Sequence, residues 1–130
     1  MDILGIFGIR GRPKEVHRLD DAMRAVGVTP KRVPDSVKLT VLRLLKDAEG
    51  GAMADVDASC ARAAPMLAYC VLGREDFRDA NGPEAASAIE ARLHHAIESG
   101  ESLDARLAML TLVAGVTEPE VIERFGLRLD

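Results

Sequence analysis

The chain has 130 residues and a mass of 14.0 kDa, with 48% hydrophobic and 29% charged residues and a formal net charge of −4. These are the proportions of one ordinary globular domain, large enough to build a core without a disulfide framework or structural metal. They exclude a collagen, a mostly disordered tail and a small secreted knot. The longest runs without a charge are Ala63 to Gly73 and Leu107 to Thr117, eleven residues each. A membrane-spanning helix needs ~20 apolar residues, so no transmembrane segment is expected.

Residues 1–12 read as an apolar N-terminal arm ahead of a single helical domain over 13–130. Met1, Ile3, Leu4, Ile6, Phe7 and Ile9 are apolar, with glycines at 5, 8 and 11. An acid at position 2 and a greasy stretch cut by glycine are unlike a secretory signal. The arm is expected to dock on its own bundle, on another protein or on lipid.

The first helix opens at Pro13, carries Val16, Leu19, Met23 and Val26 on one face, and stops at Gly27. Pro30 and Pro34 make the next stretch an extended connector. Asp35 or Ser36 can cap a second helix to about Glu49, whose stripe is Val37, Val41, Leu44, Leu45 and Ala48. Leu39 and Leu42 fall outside that stripe, so this helix either lies between neighbours or meets a partner.

A third helical region starts near Asp55 and runs to Gly73, bent or divided at Pro65. From Ala58 to Leu72 its only charge is Arg62, which predicts a central, buried rod. Arg74 to Asp79 reads as a short helical turn, and Pro83 to Ser99 as an amphipathic helix with Ala86, Ile89, Leu93, Ala96 and Ile97 inward. Ser102 caps the next helix; between 103 and 114 only Asp104, Arg106 and Thr111 are strongly polar, which predicts a second central rod. Thr117 and Glu120 match a capping box before the last helix. The fold class is therefore all-α: a compact bundle of six or seven helices, two apolar ones (58–72 and 103–114) wrapped by amphipathic ones.

Charge is uneven along the chain. Residues 1–50 hold ten Lys/Arg against seven Asp/Glu, a balance of +3, and residues 51–130 hold seven against fourteen, a balance of −7. Either the halves attract across the fold, or the basic 10–46 region meets an acidic partner. Arg10-Gly-Arg-Pro-Lys14 resembles the core of an AT-hook, and the resemblance implies contact of Arg10, Arg12 and Lys14 with the minor groove of A·T tracts. A helix starting at Pro13 explains the same letters. Glu120-Val-Ile-Glu-Arg-Phe-Gly-Leu127 is similar to the first helix and turn of a helix-turn-helix reader, and equally to a generic helix end.

Sites for chemistry are sparse. Glu90, His94 and Glu98 share a helical strip, as do His17 and Asp21, and solvated pairing four residues apart is the expected role. Hydrolase elbows, phosphate loops and zinc-binding pairs are absent from the sequence. No catalytic residue, metal or cofactor is assigned. Cys60 and Cys70, ten positions apart in one helical region, cannot pair and fit a reducing cytoplasm.

The expected function is non-catalytic and works through contacts with a protein partner or a second copy. Leu39, Leu42, Lys38 and Lys46 on the second helix and Ile6 and Phe7 on the arm are the candidate contact residues. The alternatives are a DNA-associated accessory protein using the basic region, and an enzyme whose site is spread over several helices.

Overall fold

The computed structural model describes residues 13–129. The arm, with Ile6, Phe7, Arg10 and Arg12, lies outside the described residues. Seven α-helices follow in order: α1 (Lys14–Ala25), α2 (Asp35–Ala48), α3 (Val56–Leu72), α4 (Arg74–Asn81), α5 (Pro83–Ser99), α6 (Leu103–Val113) and α7 (Pro119–Phe125), with a 3-10 turn at Pro30–Arg32 before α2. No strand occurs among the described residues. The architecture is the all-α bundle that the periodicities predict.

α3 is the central rod. It packs against α1, α2, α4, α5 and α6, and Cys60, Ala63, Ala64 and the run Met66 to Val71 are buried. Asp55 starts it by accepting the amide of Ala58 at 3.1 Å. The helix is continuous through Pro65, so of the expected bend or division the division does not occur. The imide leaves the carbonyl of Ala61 without its helical donor. The neighbouring Arg62 carbonyl accepts Arg92 Nη2 from α5 at 3.0 Å, and the same guanidinium holds Asp104 of α6 at 2.7 Å. Burial on most sides sustains a helix that proline alone would interrupt.

Cross-helix pairs fix the directions. Arg18 meets Asp57 near the starts of α1 and α3, which run parallel. α2 is antiparallel to α1, because Lys38 reaches Asp20 and Lys46 reaches Glu15 in reversed order. α5 is antiparallel to α3, with Glu90 at Tyr69 and Arg92 at Arg62. Gly27 ends α1 at φ +96°, and a Cβ there would come within 2.6 Å of the Ala80 Cβ. Glycine permits both the left-handed turn and the close approach of α4. Asn81 seals that junction by donating to the Val26 carbonyl at 2.8 Å.

The second predicted rod differs from expectation. α6 packs on α2, α3 and α5, yet it buries only Leu107, Ala108 and Thr111. Met109 is 47% exposed and Val113 64%. Apolar groups all round the helix therefore cover two faces, and the bundle occupies only one of them. The capping box at α7 is also absent: Thr117 Oγ1 donates to Thr111 Oγ1 at 3.1 Å, and Glu120 Oε1 accepts the Arg74 amide at 3.0 Å. Partners on other helices take both groups away from the local cap.

Candidate functional site

The α2 strip expected from sequence does not form a surface. Leu42 and Lys38 are buried, because the inward stripe is Val37, Lys38, Val41, Leu42 and Leu45 rather than the one drawn through Leu44 and Ala48. Lys38 tolerates this position by pairing with Asp20 at 2.9 Å and Asp35 at 3.6 Å. Lys46 is half-buried and held by Glu15 at 3.2 Å. Leu39 is exposed and Ala48 also faces outward.

Within the basic region, Arg18, Arg24, Lys38 and Lys46 each face a carboxylate. The acids are mostly from the same half of the chain: Asp21, Asp20 and Glu15 neutralise three of these cations, and Asp57 alone comes from the other half. Among the described residues two ion pairs join the halves, Arg18 with Asp57 and Arg62 with Glu49. Asp21 takes Arg24 rather than His17.

The chemistry-bearing residues are held in contacts between helices. Glu90 does not pair with His94 in solvent. It accepts the Tyr69 hydroxyl at 2.6 Å and faces Arg74 Nε at 3.3 Å, while His94 lies against the Phe125 ring, centroids 4.7 Å apart. Burial first, and then the hydrogen bond to Glu90, push the Tyr69 phenol well above its ordinary range. Burial also raises both thiols, Cys60 and Cys70, from 9.0 to about 11. Burial would raise Glu120 too, but the Arg74 amide and the Arg124 guanidinium together hold it below the usual carboxylate range. Among the described residues no three of His, Cys, Asp and Glu gather to hold a metal ion. No described helix is long and apolar enough to cross a membrane.

Arg74, Arg78, Glu118, Glu120 and Arg124 line a polar depression of about 410 Å³, and a second set of residues is apolar. Along the outer side of α6 runs an open groove of about 640 Å³. Thr40 and Leu44 of α2 line one wall, and Leu93 and Ile97 of α5 with Leu127 after α7 line the other. Ala108, Met109, Leu110 and Leu112 of α6 lie between, and Arg106 and Arg128 stand at its edge. Ile97 is 44% exposed, although its spacing places it with Leu93 and Ala96 toward the core. Sequence reasoning missed this groove. Its signal was the lack of a polar face on 103–114, which is satisfied as well by one covered and one open side as by full burial.

No protein-family model, curated protein or solved structure matches the chain.

Proposed function

We propose that this protein is a non-catalytic helical module that works through protein contacts, and that its working face is the groove along α6. One observation carries the reading: Ile97 and Met109, large apolar side chains from two helices, are 44% and 47% exposed in a continuous apolar depression. Contiguous apolar surface of this kind, edged by charge, is characteristic of sites that receive another polypeptide segment. Arg106 and Arg128 supply that edge. Glu90 and Glu120 are engaged in bonds between helices, Glu90 to the Tyr69 hydroxyl and Glu120 to the Arg74 amide.

We assign the module to the reducing cytoplasm, on the strength of two free, buried thiols. The contact reading is tested with a photoreactive amino acid at position 109 of the full chain, irradiated in the cells that make it. Adducts should map by mass spectrometry to a defined apolar polypeptide segment and vanish with Ile97→Asp. Quenching by solvent alone, with no peptide adduct, overturns the reading.

A further inference from the structure

We infer that the α6 groove receives an amphipathic α-helix of another protein, one whose apolar stripe is bordered by Asp and Glu. This inference rests on the reading of the groove as a contact face and names the kind of segment that fills it. Charge is the first ground. Asp and Glu outnumber Lys and Arg by 21 to 17 in the chain, yet the groove is lined by two arginines and no acid. Arg106 and Arg128 are both exposed, and neither faces a carboxylate among the described residues. By contrast Arg18, Arg24, Arg62, Arg74, Arg92 and Arg124 are each paired within the chain. The groove thus keeps its cations open to carboxylates from outside, and a rim of one sign sets the orientation of what docks and rejects basic segments.

Shape is the second ground. Ala105, Met109 and Leu112 follow one another along the floor, and the seven-residue step from the first to the last rises about 10.5 Å. The same distance separates side chains i and i+7 of an incoming helix, with i+3 or i+4 between them, which is the way a helix enters an apolar groove. Ala105 and Ala108 are short and leave hollows between the larger side chains of floor and walls. Met109, unbranched and 47% exposed, can adjust to the side chain that arrives.

Other ways of holding a polypeptide lack their parts. An added strand needs a free sheet edge, and no strand occurs among the described residues. A proline-rich segment docks between aromatic rings, and no Phe, Tyr or Trp lines the groove. A second copy paired about a two-fold axis would present the same patch, setting Arg106 and Arg128 against their own duplicates with no acid in the lining to answer them.

The experiment presents a display library of random peptides, about fifteen residues or four turns of helix long, to the full chain and sequences those retained. They should carry apolar residues at i, i+3 or i+4 and i+7, flanked by Asp and Glu, and should be lost with Met109→Asp, a variant that keeps its helical circular dichroism because the position is exposed. Selection on Arg106→Glu/Arg128→Glu should return Lys and Arg at the flanks instead. A retained acidic peptide, synthesised with a fluorophore, should bind that variant roughly tenfold more weakly in anisotropy titrations. Retained peptides with alternating or proline-rich patterns, or with flanks that do not follow the charge at positions 106 and 128, overturn the inference. So does a chain that sediments as a dimer and becomes a monomer with Met109→Asp, since a second copy then fills the groove. The two readings fail separately: peptides of another pattern that still require Met109 leave the contact face standing without this occupant, whereas the lack of any retention dependent on Met109 removes both.

Discussion

Gly27 carries a double constraint, because its φ of +96° disfavours any side chain and the Ala80 methyl already occupies the space a Cβ would need. Gly27→Ala should therefore lose about 1–3 kcal/mol of stability in urea titration. An unchanged midpoint would show that α4 can shift away from α1. The two cysteines make a different prediction. With both thiols raised to about 11 and buried, neither should react with a disulfide reagent at pH 8 until the chain unfolds. Between pH 9 and pH 11 the unfolded chain releases these protons while the folded one keeps them, so this contribution to stability falls as pH rises through that window. Rapid labelling of native protein at pH 8 would contradict the burial. At this scale the sequence was a good guide to cysteine, since thiols set among alanine and leucine belong to a core. It was a poor guide to Lys38, because only the arrival of Asp20 from another helix makes that position tolerable.

Elements succeed or fail according to how many sides they must cover. The spacing of α1 was legible, since Val16, Leu19 and Met23 define one face and that face is buried. α2 was misread by a fraction of a turn: Leu44 joined the inward stripe in place of Leu42, and the buried ion pair is the reason the true stripe looked broken. Removing one partner of a buried pair costs about 3–5 kcal/mol, while replacing both with apolar groups is often neutral or stabilising. Lys38→Met should therefore be severely destabilising in thermal melts, and Asp20→Leu with Lys38→Met should recover most of the loss. Equal effects of the single and double variants would deny the coupling. α6 separates its two faces equally sharply. Leu107→Asp, fully buried, should cost about 3–5 kcal/mol and leave little folded protein. Val113→Asp, on the open side, should stay within about 0.5 kcal/mol of the parent. The sequence could not distinguish these positions, because leucine and valine at 107 and 113 look alike until α3 covers one and nothing described covers the other.

The bundle as a whole is arranged around α3, and its resistance to opening should follow that arrangement. Amides between Ala63 and Val71 lie in the one helix packed against α1, α2, α4, α5 and α6, so hydrogen exchange there should require global unfolding. The seven-residue α7, with only Val121 buried, should exchange through local opening. Comparable rates in both helices would argue that the molecule opens as one unit. The helical class and the central place of 58–72 were written plainly in composition and punctuation. The groove was not, because an open apolar face and a hidden one are spelled with the same residues, and only the number of neighbours that the remaining chain supplies decides between them.

Tyr69 is the protein's single tyrosine, and the chain has no tryptophan. It stands between Phe77 and Phe125, with its hydroxyl on the Glu90 carboxylate. A phenol hydrogen-bonded to a carboxylate loses its excited-state proton readily and emits weakly. The folded molecule should consequently be dim in ultraviolet fluorescence and brighten on denaturation, so that one side chain serves as a built-in optical gauge of whether α3, α5 and α7 remain assembled.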